Sequence, residues 1–192
     1  MITALILAAG QSKRMGQPKM LLPWGETTVL GQVISTFKAA GVEDILVVTG
    51  GAREEVEALV NSSARTVYNP MYAEGEMLSS VQAGLADLKP EVEAALIGLG
   101  DQPQVRERSV WLVREEYHKS GASIVVPSYK MRRGHPWLVA RPFWDEILKM
   151  RSPASLRDFL NSHQNEIRYV NVESGSILQD MDTPEDYLKS KP

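Results

Sequence analysis

An apolar run that ends in a loop of glycines and cations is the feature that most constrains this chain. Residues 2–8 are almost continuously apolar, which predicts a buried parallel strand. Gly10, close behind it, lets the backbone approach an anion because glycine has no Cβ. Backbone N–H groups and the cations Lys13, Arg14 and Lys19 add donors and positive charge. A glycine turn with solvated cations is the alternative, but the position behind a strand favours a polyphosphate site.

The spacing of this loop excludes two common phosphate-binding motifs. It matches neither Gly-x-x-x-x-Gly-Lys-Ser/Thr nor Gly-x-Gly-x-x-Gly. Lys19 is not followed by serine or threonine, so the magnesium ligand of a P-loop is missing. A P-loop NTPase and a dinucleotide-dependent dehydrogenase are therefore disfavoured.

Alternating strand and helix patterns behind the first strand predict the fold class. Four further strand-like runs alternate with amphipathic helical stretches as far as residue 127. This order predicts an α/β, three-layer α/β/α Rossmann-like domain with a mostly parallel sheet. In the less regular second half we expect one helix with Ser152 as N-cap and Pro153 as its first residue. Thr183 and Pro184 open the last helix in the same way.

Composition supports one domain, residues 1–192, and narrows the function classes. The chain is 43% hydrophobic and 23% charged, which is ordinary for a globular protein. Its net charge of −3 gives no support to nucleic-acid binding, and the absence of cysteine excludes disulfides and thiolate chemistry. We find neither a transmembrane-length apolar run nor a signal-peptide pattern, and therefore expect a cytoplasmic protein without a membrane partner.

An acidic residue follows the fourth predicted strand, in Gly98-Leu99-Gly100-Asp101-Gln102-Pro103. If strands two and three lie on one side of strand one and strand four on the other, strand order reverses between strands one and four. Ligands of open α/β sheets bind at such a reversal, so Asp101 would face the basic loop. A carboxylate beside a polyphosphate holds Mg²⁺. A turn-forming aspartate before Gln-Pro is the alternative.

Two more aspartates, Asp180 and Asp182, lie near the C-terminus. Alternation places both on the same face of an extended segment. Either is a candidate second ligand for a metal that Asp101 holds, and capping of the last helix is the alternative.

The loop as a whole, Leu7-Ala8-Ala9-Gly10-x-Ser12-x-Arg14-Met15-Gly16-x-Pro18-Lys19, resembles the signature of a known family. That family is the MobA-like NTP transferases, which includes the molybdenum cofactor cytidylyl- and guanylyltransferases. The Gly-Asp-Gln-Pro string and Asp180-x-Asp182-Thr-Pro-Glu-Asp-Tyr resemble its metal-binding segments. The resemblance implies the nucleotide-diphospho-sugar transferase type of fold and transfer of a nucleotide from an NTP to a phosphorylated acceptor, with release of pyrophosphate. The expected acceptor is molybdopterin or the molybdenum cofactor, and the expected cofactor is Mg²⁺.

The resemblance also implies roles for individual residues. Catalysis falls to Arg14, Lys19 and Asp101, and the metal to Asp101 and Asp182, with Asp180 as the alternative to Asp182. The string Gly75-x-x-x-Ser79-Ser80 suggests nucleotide contact, although helix capping alone would explain it. The predicted nucleotide-binding residues are Leu7, Ala8, Ala9, Gly10, Ser12, Arg14, Lys19, Ser79, Ser80 and Gly100.

The predicted acceptor-binding residues are Gly134, His135 and Pro136. The segment around them is basic, and Trp137 offers an aromatic plane. We interpret His135 as an acceptor contact rather than a base, because an acceptor phosphate is already an anion; a structural turn histidine is the alternative. Residues 152–157 depart from the Gly-Asp-x-Gly-Ala-Arg string of many cytidylyltransferases, retaining only Arg157, which leaves the acceptor open.

The choice of nucleotide depends on Ala9, which stands where guanylyl-transferring relatives carry a second glycine. Its methyl group would narrow the base pocket against a purine, so we expect CTP. A molybdoenzyme or its chaperone is a possible protein partner. Two other functions stay open: a nucleotidyltransferase for a sugar or polyol phosphate, and a non-catalytic factor that binds the nucleotide or the molybdenum cofactor.

Overall fold

The computed structural model of the chain describes residues 1–74 and 76–192. Gly75, part of the predicted nucleotide-binding string, lies outside the described residues. The described strands are β1 (Ile2–Ala8), β2 (Pro23–Trp24), β3 (Thr27–Thr28), β4 (Asp44–Thr49), β5 (Arg65–Tyr68), β6 (Ala94–Leu99), β7 (Ile124–Tyr129), β8 (Arg132–Arg133), β9 (Trp137–Ala140) and β10 (Ile167–Asn171). The described helices are α1 (Val29–Ala39), α2 (Arg53–Val60), α3 (Glu76–Asp87), α4 (Glu107–Ser120), α5 (Trp144–Lys149), α6 (Leu156–Ser162) and α7 (Pro184–Ser190).

The main sheet has the strand order β10-β7-β9-β6-β1-β4-β5, and β8 pairs with β7. β1 pairs in parallel with both β4 and β6. β4 and β5 therefore lie on one side of β1 and β6 on the other, as the sequence predicts. The reversal of strand order falls between β1 and β6, so the loops behind these two strands meet at one edge of the sheet.

Helices cover both faces of the sheet because residues of β1 alternate between two apolar clusters. Ala4, Ile6 and Ala8 pack in the first cluster with residues of α1, α2 and α4. Leu5 and Leu7 pack in the second with residues of α3, α5 and α6. The predicted α/β, three-layer and mostly parallel fold is confirmed.

In the second half, one strand departs from the parallel direction and one local prediction was wrong. β9 runs antiparallel between β6 and β7. The helix expected to open at Ser152-Pro153 begins instead at Leu156, with Ser155 as its N-cap. Ser155 and Asp158 satisfy each other's backbone donors in a capping box, which Ser152 has no equivalent acid to form.

The C-terminal segment packs against the basic loop. Met181 is 1% exposed and lies in a small apolar cluster that includes Met15 of that loop and Trp24. The hydroxyl of Tyr187 donates to the carbonyl of Pro23 over 2.7 Å. These contacts bring residues 180–182 to the edge where β1 and β6 end. Within the described part of the chain, none of the helices is both long and apolar enough to span a membrane.

Candidate active site

The basic loop behind β1 is held together by Ser12. Its carbonyl accepts the N–H groups of Met15 and Gly16 at 3.0 and 3.1 Å. Its hydroxyl accepts the backbone N–H of Lys19 at 3.1 Å. Ser12 itself adopts a left-handed backbone, with φ 50°. The loop therefore curls around this one residue and brings Lys19 back toward the end of the sheet.

Lys19 joins the three predicted charged elements of the site. Its side chain is largely buried, and its Nζ contacts the Asp101 carboxylate and lies 3.1 Å from Asp182 Oδ1. Arg14 Nη2 donates to the other oxygen of Asp182 at 2.7 Å. The loop behind β1, the loop behind β6 and the C-terminal segment thus meet in one ionic network.

Burial and charge shift the pKa of both groups in the central pair. Burial lowers the pKa of Lys19, but the neighbouring carboxylates of Asp101 and Asp182 more than offset this, and the net direction is upward. Burial raises the pKa of the Asp101 carboxyl, and Asp180 adds to the rise, against the opposing effect of Lys19. The Lys19 ammonium is therefore the charge that opposes the upward shift of the Asp101 pKa.

Two adjoining cavities open at this edge. The cation-rich cavity has a volume of about 290 Å³ and is lined by Gln11, Ser12, Lys13, Arg14, Tyr72, Ala73 and Asp182. The carboxylate-rich cavity, about 320 Å³, is lined by Leu7, Ala9, Gly10, Lys19, Met20, Tyr72, Glu76, Met77, Ser80, Leu99, Asp101, Asp180 and Asp182. Tyr72 and Asp182 line both, so the two cavities are neighbouring parts of one site.

The donor set fits a hard divalent cation shared with phosphate. Asp101 and Asp182 both contact the single ammonium of Lys19, so their oxygens converge on one cation position. Among the described residues, no group of three or more His, Cys, Asp or Glu side chains is arranged to hold a metal. Mg²⁺ commonly takes one or two carboxylates together with substrate phosphates and water. Asp101 and Asp182 provide the two carboxylates, and substrate phosphate and water would complete the coordination.

Comparison with known proteins identifies the family. The sequence model of the MobA-like NTP transferase domain matches residues 4–167. The chain belongs to this family of nucleotidyltransferases. The predicted family and enzyme class are thereby confirmed.

Two named relatives match almost the whole chain. The molybdenum cofactor cytidylyltransferase of Escherichia coli K12 is 32% identical over 196 residues, covering 99% of this chain and 95% of the relative. The nicotine blue oxidoreductase of Paenarthrobacter nicotinovorans is 28% identical, covering 96% and 93%. Relatives that match this chain over nearly its full length are thus named for different reaction classes.

A solved relative has the same architecture. Rv0371c from Mycobacterium tuberculosis H37Rv is 29% identical and superposes with a TM-score of 0.85, covering 98% of this chain and 96% of that one. A structure of its complex with manganese superposes with a TM-score of 0.81, at 28% identity and with the same coverage.

The nucleotide-binding residues predicted at the ends of β1 and β6 in this MobA-like domain differ from one another in their surroundings. Leu7, Ala9 and Gly10 line the carboxylate-rich cavity. The methyl group of Ala8 packs in the core, so only its backbone is available to a ligand. Gly100 donates its N–H to the Leu7 carbonyl at 3.0 Å, and a Cβ there would lie equally close to that oxygen. Gly100 therefore lets the ends of β6 and β1 approach each other.

Ser79 and Ser80 are organised by a residue to which the sequence assigned no role. Asn69 is 1% exposed, and its Nδ2 donates to Ser79 Oγ at 2.9 Å and to Ser80 Oγ at 3.0 Å. Ser80 lines the carboxylate-rich cavity, whereas the Ser79 hydroxyl donates to the Glu76 carbonyl at 3.1 Å. The only sequence signal for Asn69 is its place in the Asn-Pro turn that follows β5.

The predicted acceptor segment lies beside these cavities rather than in their walls. Gly134, His135 and Pro136 are not among the described residues that line either one. The His135 N–H donates to the Ile177 carbonyl at 3.1 Å. Burial lowers the pKa of His135 to about 4, against the opposing charge of Asp180, so the imidazole is neutral at pH 7.

The aromatic plane expected from Trp137 was wrong. Trp137 is 2% exposed and packs against Phe159, with ring centroids 6.3 Å apart. It is buried because both faces of β9 are covered: Trp137 and Val139 pack in the second apolar cluster and Leu138 packs in the first. Among the described residues that line the two cavities, Tyr72 provides an aromatic ring, and no sequence motif pointed to it.

Proposed function

We propose that this protein is a Mg²⁺-dependent cytidylyltransferase that joins CMP to the terminal phosphate of molybdopterin or the molybdenum cofactor. The acceptor phosphate oxygen forms a bond to the α-phosphorus of CTP, and the bond from that phosphorus to the β-phosphate oxygen breaks. Pyrophosphate leaves with the electron pair. The observation that carries the proposal is the convergence of Asp101 and Asp182 on Lys19 at the boundary of a cation-rich cavity.

The two cavities suggest how CTP is divided between them. Lys13, Arg14 and the backbone N–H groups of the loop suit the β- and γ-phosphates. Leu7, Ala9 and Ser80 offer apolar contacts and a hydroxyl to the nucleoside. Lys19, at the boundary, is placed to stabilise the charge that develops on the leaving pyrophosphate. Catalysis would then consist of positioning and electrostatic stabilisation, as in phosphoryl transfer generally.

A metal ion would be held by Asp101 and Asp182 together with phosphate oxygens. Such an ion supplies neutralising charge to the phosphates during transfer. The manganese complex of the M. tuberculosis relative supports a divalent metal, and carboxylate ligands together with phosphate are a set that Mg²⁺ accepts.

The choice of CTP and of the acceptor comes from different observations. Ala9 lines the carboxylate-rich cavity, and it also packs in the second apolar cluster, 4% exposed; in the proposed complex its methyl group would narrow the space beside the base. The acceptor is inferred from the name of the E. coli relative. A CTP-consuming step would place the protein in the cytoplasm, and its product would pass to a molybdoenzyme or its chaperone.

Release of pyrophosphate is the measurement that tests the proposal. The protein is mixed with Mg²⁺, molybdenum cofactor and CTP or GTP in turn, with Asp101→Asn as the inactive control. We expect pyrophosphate and a cytidine dinucleotide form of the cofactor with CTP, and little product with GTP. A clear preference for GTP would refute the choice of base.

The same assay tests the other open functions. Product formed from a sugar or polyol phosphate, but not from the cofactor, would refute the acceptor while retaining nucleotidyl transfer. Tight binding of CTP and the cofactor without pyrophosphate release would favour the non-catalytic factor. Cofactor-dependent redox turnover without an NTP would instead favour the reaction class that the P. nicotinovorans relative is named for.

A further inference from the structure

Two glutamines tie the loop behind β6 to the C-terminal segment. Gln102 Nε2 donates to Asp180 Oδ1 at 2.8 Å. Gln104 Nε2 donates to the carbonyl of Gln179 at 2.5 Å. Gln102 directly follows Asp101, and Asp180 is two residues before Asp182. The first of these hydrogen bonds therefore lies next to both carboxylates that we assign to the metal.

Gln102 is a rigid donor. Its side chain is 3% exposed, and its backbone N–H donates to the Leu99 carbonyl while its own carbonyl accepts from Val105. Among the described residues its Oε1 is buried without a hydrogen-bond partner. Burying an amide that is only half satisfied costs free energy, so an apolar residue would serve packing alone better. The hydrogen bond to Asp180 is what the amide adds at this position.

The segment on the other side is anchored at Met181. That side chain is 1% exposed in its apolar cluster, and the two flanking aspartates both line the carboxylate-rich cavity. Asp180 and Asp182 are thus the two neighbours of a buried, fixed residue, and both carboxylates extend from the segment that Met181 anchors. A contact that holds Asp180 also limits how far Asp182 can rotate away.

The charges around the cavity explain why a hydrogen bond from an uncharged amide matters here. Asp101, Asp180 and Asp182 line the same cavity and repel one another. Lys19 and Arg14 offset the repulsion through their ion pairs with Asp101 and Asp182. In the proposed reaction these cations turn to the phosphates of CTP. The amide of Gln102 carries no charge, so phosphate does not compete for it.

We propose that Gln102 is a positioning residue that acts through Asp180: its hydrogen bond keeps Asp182 opposite Asp101 while Lys19 and Arg14 serve the phosphates. Asp180 is then a clamp for the two carboxylates assigned to the metal, those of Asp101 and Asp182, and is not itself a metal ligand. The inference rests on the proposed function, because it takes Asp101 and Asp182 as the metal ligands.

A double-mutant cycle with Mn²⁺ as the probe tests the clamp. Binding of Mn²⁺ in the presence of CTP is followed by electron paramagnetic resonance of the free ion. Gln102→Met keeps the length of the side chain and removes its donor, and Asp180→Leu removes the acceptor. Each is expected to weaken Mn²⁺ binding about fivefold, the effect of one net hydrogen bond. The double variant is expected to bind as each single variant does, because both remove the same contact.

Asp180→Asn separates the clamp from direct ligation. The asparagine Oδ1 can still accept from Gln102, so Mn²⁺ binding is expected to stay within about twofold of the wild type. In turnover assays, Gln102→Met should raise the KM for Mn²⁺ and leave kcat at saturating metal nearly unchanged. A purely structural role of Gln102 would lower the melting temperature without this split between KM and kcat.

Three outcomes would overturn the clamp: loss of Mn²⁺ binding in Asp180→Asn with normal binding in Gln102→Met, additive losses in the double variant, or unchanged binding in both single variants. If Gln102→Met does not fold, the exposed Asp180 variants decide alone, since the clamp requires Leu to impair binding and Asn to preserve it. The proposed function fails separately, if the wild type binds Mn²⁺ with CTP but transfers no CMP.

Discussion

The two cavities of the site share Tyr72 and Asp182 but differ in charge. Among the described residues that line the cation-rich cavity, Lys13 and Arg14 stand against the carboxylate of Asp182. Those that line the carboxylate-rich cavity include the acidic side chains of Glu76, Asp101, Asp180 and Asp182 and the cation of Lys19. One site thus presents a region suited to phosphate beside a region suited to a metal and a base. The ion pairs of Lys19 and Arg14 cross the boundary between them.

Removal of one of the two carboxylates assigned to the metal should have the largest effect on turnover. Asp101→Asn keeps the shape of the side chain but removes its charge. We expect kcat for pyrophosphate release to fall by about 10²–10³-fold, the size of a lost electrostatic contact at a reacting centre. The measurement is steady-state turnover with CTP and molybdenum cofactor at saturating Mg²⁺.

Thermal unfolding provides the control for Asp101→Asn. Lys19 keeps its contact with Asp182 in this variant, so we expect the fold to persist. Near-normal turnover at saturating Mg²⁺ would contradict the metal role of Asp101 and remove the functional difference between the two cavities.

Lys19→Met should have a smaller effect on turnover and the opposite effect on the metal. Loss of the ammonium should lower kcat about 10²-fold, because the leaving pyrophosphate loses a cation. Without CTP, Mn²⁺ should bind more tightly than in the wild type, since Lys19 no longer neutralises Asp101 and Asp182. Electron paramagnetic resonance of the free ion measures the second effect.

Lys13→Met is the matched control on the same loop. Lys13 lines the cation-rich cavity, whereas Lys19 lines the carboxylate-rich one. We expect Lys13→Met to weaken CTP binding and to leave Mn²⁺ binding without CTP unchanged. Equal Mn²⁺ affinity in Lys19→Met and the wild type would mean that the ammonium does not compete with the metal.

The core of the site could be predicted from the sequence because it depends on strand order. The apolar runs of β1, β4 and β6 are strong patterns, and the reversal between β1 and β6 follows once β4 and β5 are on one side. That reversal is enough to expect Asp101 near the basic loop. The structure brings Lys19, Asp101 and Asp182 together, and Asp180 instead contacts Gln102.

What could not be predicted depends on contacts between distant segments. Nothing local distinguishes Gln102 or Asn69 from any polar loop residue, because their partners are supplied by other elements. Trp137 was misassigned because the four residues of β9 are all apolar and show no alternation of buried and exposed positions. The antiparallel direction of β9 is likewise set by the connection from β8 and not by its own four residues.

Ala9→Gly tests how the carboxylate-rich cavity discriminates between CTP and GTP. If the Ala9 methyl group narrows the space beside the base, as proposed, its removal should admit a purine more readily, and one methyl group in an apolar pocket is worth about tenfold in discrimination. We expect the ratio of kcat/KM for CTP over GTP to fall by about that factor. Competition between the two nucleotides in one reaction measures the ratio directly. An unchanged ratio would place base selection elsewhere, and the Asp101-dependent chemistry should be the same with either base.

A charge cluster outside both cavities should affect stability slightly and turnover not at all. His163 contacts Glu146 at 2.9 Å and Glu166 at 2.5 Å. Burial lowers the pKa of His163, but the hydrogen bonds to the two glutamates outweigh it and the net direction is upward from 6.5. A raised pKa in the folded state stabilises the fold below about pH 6.5 and loses that contribution as the pH rises through the raised value. Because both glutamates are about half exposed, the contribution is about 1 kcal/mol or less.

Comparison of the wild type with His163→Gln measures this contribution. The melting temperature of the wild type should exceed that of the variant by more at pH 6 than at pH 9, while kcat at pH 7.5 is equal in the two proteins. A pH-independent difference would mean that packing of the ring against Phe143 and Phe159 holds His163 in place, and not its charge. A change in kcat would mean that the His163 cluster affects the site, and it would contradict the view that only the charges lining the two cavities contribute to turnover.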